Sequence, residues 1–83
     1  MRLEITDEFK RDIKKIKDNT MQSRIKKGIQ KIKDNPMIGK PLKYGLKGKR
    51  SLKIPPFRII YIYNAQEDTV ILQKFEHRDK VYN

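Results

Sequence analysis

The order of apolar and polar residues along this 83-residue chain predicts a strand, two helices and three more strands. Residues 2–6 alternate between polar and apolar types, which is the period of a strand. Apolar residues then recur at helical spacing through two segments, the first ending near Lys17 and the second near Asp34. The apolar stripe of the second segment consists of Met21, Ile25, Ile29 and Ile32.

Capping residues mark the ends of the two predicted helices. Thr6 precedes the first helix, and Thr20 is placed to cap the second after a break at Asp18 and Asn19. The short connection predicts an antiparallel helical hairpin. Gly28, inside the second helix, is expected to let the two helices approach each other closely.

A β-hairpin is predicted around the Pro55-Pro56 pair. Ser51–Ile54 alternates in polarity, and Phe57–Tyr63 is almost wholly aromatic and β-branched, as a central strand is. The two prolines cannot donate hydrogen bonds to a sheet, so they form the turn. A four-residue loop, Ile54–Phe57, keeps an even register between the strands, whereas a loop of odd length would destroy it.

An even register sets Lys53 opposite Arg58 and Leu52 opposite Ile59, with the two pairs on opposite faces of the sheet. The face with Leu52 is apolar and suited to packing beneath the helices. The other face carries Lys53 and Arg58, with Ser51 beside them, around a candidate phosphate site. Two cations set directly opposite each other repel, so this pairing indicates either an anion at that place or a position open to solvent.

The end of the chain predicts a turn at Asn64–Asp68, a strand at Thr69–Phe75 and a polar tail, Glu76–Asn83. Alternation along this last strand places Ile71 and Phe75 on one side. The predicted fold class is therefore α+β, as one small domain ordered β-α-α-β-β-β. The helical hairpin packs on one face of an antiparallel sheet.

The segment Met37–Lys49 is predicted to be a loop, because glycine and proline recur in it. It holds no acidic residue, and its basic residues are Lys40, Lys43, Lys47 and Lys49. With Arg50 and the hairpin cations it forms the densest positive region of the chain. RNA binding is expected at Lys43, Lys47, Lys49, Arg50 and His77.

Net charge narrows the class of partner. Lysine and arginine number 21 against 10 acidic residues, which gives a net charge of +11 and favours a polyanionic partner such as nucleic acid. With no cysteine and one histidine, neither a metal nor another cofactor is expected. No apolar run suits a membrane helix and the N-terminus does not resemble a signal peptide, so we expect a cytoplasmic protein without a membrane partner.

The residues suited to chemistry are mostly cations. Lys53, Arg58 and Arg78, with His77 and Tyr82, form a set that suits cleavage of RNA by its own 2′-hydroxyl. That reaction needs an acceptor for the 2′-hydroxyl proton, cations for the phosphorane and a proton donor for the 5′-oxygen. Each residue also has a plainer interpretation: Arg58 as a strand-surface arginine, His77 as an exposed tail residue, and Tyr82 as an apolar anchor.

Two stretches give the chain a resemblance to the RelE/ParE toxin superfamily, in particular to RelE-type mRNA interferases. They are the hairpin LKGKRSLKIPPFRIIY and the ending HRDKVY. Family members typically carry a glycine-and-leucine loop, a basic strand, an aromatic–arginine pair and a final His-Arg…Tyr. In this chain the corresponding residues are Gly39–Leu42, Lys53, Phe57-Arg58 and His77-Arg78…Tyr82.

The resemblance implies a prokaryotic toxin that cuts mRNA in the ribosomal A site without a small-molecule cofactor. It also implies a RelB-like acidic antitoxin, encoded beside the toxin, that silences it. By the same resemblance, Arg58 and Arg78 match phosphate-stabilising arginines and Lys53 matches a strand residue that acts as base or stabiliser. Tyr82 matches the terminal tyrosine of the family.

Two departures from the family pattern leave the general base open. Ser51 stands where a second basic residue is common, and Pro55-Pro56 replaces a glycine-containing turn. Arg50 or Lys49 is a candidate for the missing charge. The alternatives are a ParE-like inhibitor that binds DNA gyrase without chemistry, and a plain basic nucleic-acid-binding module. One fold serves both kinds of toxin, so the fold alone does not decide between them.

Overall fold

The computed structural model describes residues 1–42 and 48–79. The elements in chain order are β1 (Arg2–Ile5), α1 (Asp7–Lys14), α2 (Asn19–Asp34), β2 (Lys40–Pro41), β3 (Lys49–Ile54), β4 (Phe57–Asn64) and β5 (Thr69–His77). The strands form one sheet in the order β1-β5-β4-β3-β2. The α+β fold class is confirmed.

Two details of the sheet differ from the expectation. β1 pairs parallel with β5, so the sheet is mixed, although every other strand pair is antiparallel. The predicted loop after α2 also contains the two-residue strand β2, which pairs with β3. The buried core lies between the helices and one face of the sheet, and consists of Phe9, Met21, Ile25, Ile32, Ile54, Ile59, Tyr61, Val70, Leu72 and Phe75.

The predicted even register of the hairpin is confirmed. Lys53 pairs with Arg58, Leu52 pairs with Ile59, and the turn spans Ile54–Phe57. The Pro55-Pro56 peptide bond is cis, and a cis-proline at this position characterises a type VI turn. No residue of this turn has a positive φ, a conformation that proline cannot adopt.

The helix boundaries correct the predicted capping of α2. The Thr6 hydroxyl accepts a hydrogen bond from the Phe9 N–H at 3.1 Å, as a cap of α1 does. The cap of α2 is Asp18, whose carboxylate accepts from the Thr20 N–H at 3.0 Å. Thr20 was the wrong choice because a carboxylate two residues earlier already reaches the first turn.

Gly28 makes a close approach to the sheet and not, as expected, to the other helix. A Cβ at this position would lie 2.6 Å from Cδ1 of Ile54 and 3.4 Å from Cδ2 of Leu52. Both neighbours belong to β3. The missing side chain of Gly28 therefore lets α2 lie directly against β3, where Ile54 is 5% exposed.

One extra residue, Gln73, interrupts the pairing of β5 with β4. An inserted residue moves all later side chains to the opposite face of a strand. Phe75 therefore joins Leu72 in the core, and the prediction that Phe75 shares a side with Ile71 was wrong. The predicted tail was also placed too early, since β5 continues to His77.

Helix α1 covers the edge of β5 beyond the end of β1. β1 pairs with β5 only as far as Leu72. After that point the Asp12 carboxylate accepts a hydrogen bond from the Phe75 N–H at 3.0 Å, and the Thr6 hydroxyl donates to the Gln73 carbonyl at 2.8 Å. These two bonds hold the last third of β5 in place. No helix within the described ranges is long and apolar enough to span a membrane.

Candidate functional site

A basic cleft lies on the sheet face that points away from the helices. Its volume is about 290 Å³, and it is lined by Lys40, Pro41, Leu42, Ser51, Lys53 and Arg58. Ser51 and Lys53 are two residues apart on β3 and share this face, while Lys40 of β2 pairs with Ser51. Three cations thus surround a small concavity, and none of its described lining residues is acidic.

The anion beside the paired cations is supplied by the chain itself. Arg58 lies between Lys53 on β3 and Glu76 on β5, as the direct partner of each. Its Nε and Nη2 donate to Oε2 of Glu76 at 3.2 and 3.0 Å. The Arg58 side chain is 18% exposed and that of Glu76 is 7% exposed. Glu76 was expected in a polar tail beyond the last strand, so this ion pair was not predicted.

Tyr61 fixes the segment that leads into the cleft. Its buried hydroxyl donates to the Pro36 carbonyl at 2.8 Å and accepts from the Gly39 N–H at 2.8 Å. Burial raises the pKa of Tyr61, so the hydroxyl keeps the proton that it donates. A Cβ on Gly39 would lie 2.6 Å from the Tyr61 hydroxyl, so only glycine fits there. Lys40 follows at once and is thereby set at the cleft.

Arg50 supports the same segment from β3. One of its guanidinium nitrogens, Nη1, donates to the carbonyls of Met37 and Gly39 at 3.1 and 2.7 Å. Arg50 pairs with Tyr61, on the face opposite Lys53. The structure therefore gives Arg50 a supporting contact outside the cleft. Lys49 shares the face of Ser51 and Lys53, so it is the better placed of the two residues expected to supply extra charge.

The structure brings Arg78 to the hairpin turn but separates His77 from the cleft. The Arg78 N–H donates to the Pro56 carbonyl at 2.9 Å, and the Arg78 side chain is 66% exposed. His77 pairs with Phe57, and their rings meet edge to face with centroids 5.7 Å apart. That contact lies on the face opposite Arg58. Lys43, Lys47 and Tyr82 lie outside the described residues.

A second basic concavity lies between α2 and β3. Its volume is about 250 Å³, and it is lined by Arg24, Lys27, Gly28, Lys31, Leu52, Lys53 and Ile54. Lys53 lines both this groove and the cleft. Arg24 donates to the Pro55 carbonyl at 2.7 Å and so ties α2 to the hairpin turn. Among the described residues, no group of three or more metal-ligating side chains comes together.

Three residues that shape the cleft were not predicted from the sequence as contributors to it: Lys40, Tyr61 and Glu76. Lys40 was grouped with the basic loop, and Tyr61 was predicted only as one residue of an apolar strand. The pairing of Lys53 with Arg58 was itself a signal for Glu76, because it called for a nearby anion. A longer β5 would not have been enough to find Glu76, because an unbroken register from Asn64 and Thr69 sets Phe75 opposite Arg58, and only the extra residue Gln73 brings Glu76 there.

Comparisons with known proteins agree with this architecture. A family model described as the ParE toxin of the type II toxin–antitoxin system parDE matches residues 3–82. Among curated proteins no significant match was found. The archaeal RelE–RelB complex from Pyrococcus horikoshii OT3 contains a similar chain, with a TM-score of 0.81 at 13% sequence identity. That likeness covers 96% of this chain and 97% of the other.

Two bacterial structures are similar to the same extent. The YoeB/ParE toxin from Agrobacterium tumefaciens has a TM-score of 0.79 at 21% identity, covering 94% of this chain and 99% of that one. The toxin–antitoxin complex RelBE2 from Mycobacterium tuberculosis gives 0.77 at 23% identity, covering 93% and 96%. The structural likeness establishes the fold, and the family match spans nearly the whole sequence. The chain therefore belongs to the ParE toxin family, within the RelE/ParE superfamily of type II toxins.

Proposed function

We propose that this toxin is a ribosome-dependent endoribonuclease that cleaves mRNA in the A site. The observation that carries the proposal is the cleft, in which Lys53 and Arg58 face each other and Glu76 fixes the arginine. Such an arrangement suits an anionic transition state, because donors held in place before reaction need no reorganisation. The mRNA phosphate would lie between the cations of β3 and β4.

The reaction that fits this cleft uses the RNA as its own nucleophile. The 2′-oxygen bonds to phosphorus, its proton passes to a base, and the bond from phosphorus to the 5′-oxygen breaks. The products are a 2′,3′-cyclic phosphate and a 5′-hydroxyl. Arg58 and Arg78 would stabilise the charge on the phosphorane. Lys53 would act as the general base or as a further stabiliser of the phosphorane. Tyr82 would stack on a nucleobase of the mRNA or protonate the leaving 5′-oxygen.

The ribosome would supply what the cleft lacks. Within the described part of the chain, the cleft offers cations but no exposed carboxylate–histidine couple for strong acid–base catalysis. The rate must then depend on having the 2′-hydroxyl already in line with the scissile bond. A codon held open in the A site meets that need. Free mRNA would bind to the lysines but would seldom adopt the reactive geometry.

The proposed partners are mRNA on the ribosome, in the cytoplasm, and a cognate antitoxin of acidic, RelB-like character. A net charge of +11 on so small a chain would attract RNA indiscriminately unless a partner covered it. Two of the similar solved structures are described as toxin–antitoxin complexes. Association with an acidic antitoxin should slow as salt rises, because screening weakens electrostatic steering.

A second candidate function is inhibition of DNA gyrase without chemistry. The matching family model is described as a ParE toxin, and the resemblance to ParE-like proteins carries that activity with it. The cleft would then be a basic contact surface for the enzyme or its DNA. This candidate requires neither the fixed orientation of Arg58 nor a base.

The test compares primer extension on programmed ribosomes with the same mRNA alone, beside a gyrase supercoiling assay. We expect codon-phased cuts on ribosomes, little cutting of the naked mRNA, and uninhibited gyrase. Equal cutting of naked mRNA would refute the ribosome requirement. No cutting in either sample, together with blocked supercoiling, would replace the first candidate with the second.

A further inference from the structure

Glu76 is the one buried acid among the described residues, at 8% exposure. Its Oε2 accepts both hydrogen bonds from Arg58, whereas its Oε1 is buried and has no hydrogen-bond partner within the described part of the chain. Burying a carboxylate carries a large desolvation penalty unless both oxygens are satisfied. The pair is therefore poorly arranged for stabilising the fold, and apolar residues of similar volume would serve stability as well.

The position of Glu76 in the sheet shows what it does for Arg58. Lys53 lies directly opposite Arg58 on one side, and Glu76 on the other. Repulsion from Lys53 alone would favour arginine rotamers that carry the guanidinium away from the cleft. Two donors of Arg58, Nε and Nη2, meet one oxygen of Glu76, which fixes the plane of the guanidinium. Glu76 thus holds Arg58 beside a lysine that would otherwise repel it.

We propose that Glu76 is a positioning residue for RNA cleavage that also competes with the RNA phosphate for Arg58. The proposal rests on the ribonuclease function proposed above. It predicts that binding and rate respond in opposite directions when the carboxylate charge is removed. Ground-state binding should strengthen because the cleft becomes more positive. Cleavage should slow because Arg58 loses the geometry that suits the transition state.

Glu76→Gln tests this split, since it removes the charge and keeps the size of the side chain. On programmed ribosomes we expect KM to fall about 3- to 10-fold and kcat to fall about 10-fold or more. Glu67→Gln is the matched control, because Glu67 is exposed in the turn before β5 and its loss changes the net charge equally. Glu67→Gln should change neither KM nor kcat. Unchanged KM and kcat in Glu76→Gln would overturn the proposal.

A second comparison shows whether Glu76 acts through Arg58. In an Arg58→Ala background, Glu76→Gln should lower kcat no further, as expected for residues that work as one unit. An undiminished further loss would overturn the positioning role. It would indicate instead that the carboxylate itself takes the proton of the 2′-hydroxyl.

A measurement on the unchanged protein answers the question if Glu76→Gln does not fold or if the toxin cuts no RNA. The NMR signal of the Arg58 Nε–H should exchange with water more slowly than that of the exposed Arg11. Inorganic phosphate should shift the Arg58 signal as it competes with Glu76. Fast exchange, or no shift with phosphate, would overturn the proposal. A phosphate-induced shift in a toxin that cuts no RNA would support competition for Arg58 and refute only the ribonuclease function.

Discussion

The two basic concavities of this toxin share Lys53 but differ in how their cations are held. The groove between α2 and β3 presents Lys27 and Lys31 as exposed lysines of α2, beside Arg24, which donates to the Pro55 carbonyl. The cleft has no more cations than the groove, yet Glu76 fixes Arg58 and the support from Tyr61 and Arg50 fixes the approach of Lys40. Charge density alone would treat the two surfaces as equivalent.

Fixed orientation of the cations distinguishes a candidate catalytic surface from a binding surface. Exposed lysines on a helix bind a phosphate chain as mobile point charges, which contributes to affinity and to its salt dependence. A guanidinium fixed by a buried carboxylate is oriented before the substrate arrives, which contributes to rate. Substitutions at the two surfaces should therefore change RNA affinity and cleavage rate separately.

The largest expected effect is at Lys53, which lines both surfaces. Lys53→Ala should lower single-turnover cleavage on ribosomes by about 10²-fold, as the loss of one charge-stabilising group does. Lys27→Ala, in the groove alone, is the control and should leave the rate within about 3-fold of wild type. Lys53→Arg keeps the charge but supplies no base near neutral pH. Slow cleavage by Lys53→Arg would indicate that Lys53 is the general base. Cleavage at the wild-type rate would indicate that Lys53 stabilises charge.

Tyr61 should have the next largest effect, through the segment that carries Lys40. Tyr61→Phe leaves the Pro36 carbonyl and the Gly39 N–H without their partner. We expect the free energy of unfolding to fall by about 1–3 kcal/mol, measured by urea titration. Tyr63→Phe is a matched control, since its hydroxyl bonds only the exposed Asp68 at 3.3 Å among the described residues. An equal loss in both variants would contradict the role given to Tyr61.

Tyr61 also predicts how stability changes in alkali. Because burial raises its pKa above the ordinary 10.0, the folded state favours the neutral hydroxyl. The stability that this contributes is complete below the unfolded pKa and is lost as the pH rises through the higher folded value. Tyr61→Phe should therefore lose less stability than wild type between neutral pH and strong alkali. Parallel urea midpoints for the two proteins across that range would contradict this expectation.

The smallest expected effect is at the groove. Lys27→Ala with Lys31→Ala should weaken RNA binding and flatten its salt dependence by about 0.7 in log–log slope for each phosphate that the variant no longer neutralises. The rate at which the bound toxin cleaves mRNA on the ribosome should stay nearly unchanged. Fluorescence anisotropy at several salt concentrations measures the slope of RNA affinity against salt. The control is Lys14→Ala with Lys17→Ala, which lie on α1 and just after it. A steep loss of cleavage rate with unchanged RNA binding in Lys27→Ala with Lys31→Ala would indicate that the groove, and not the cleft, carries the catalytic cations.

The hairpin could be predicted from sequence because its register depends on parity. The two prolines required a turn, and a turn of even length sets Lys53 opposite Arg58, as the structure shows. The end of β5 could not be predicted in the same way. Its last residues are polar, and the inserted Gln73 shifts their faces, so alternation gave no sign that Glu76 is buried.

The remaining errors have one physical cause: contacts between residues distant in sequence. β1 pairs parallel with β5, and the local sequence pattern of β1 does not determine which edge of the sheet it joins. Gly28 was assigned to the wrong neighbour because a glycine shows that something approaches closely, but not what approaches. The supporting bonds of Tyr61 and Arg50 likewise join segments that are 11 to 25 residues apart.

Primer extension on programmed ribosomes, with Arg58→Ala and Arg78→Ala combined, tests most directly whether the two arginines carry mRNA cleavage. The paired control is Lys27→Ala with Lys31→Ala, which removes the same charge from the groove. If Arg58 at the cleft and Arg78 at the hairpin turn carry mRNA cleavage, the first variant should be inactive within the range of the assay. The second should still cut at the codons that the wild type cuts. Full activity in the arginine variant would contradict the role given to Arg58 and Arg78 and place the cleavage chemistry on other residues of the chain.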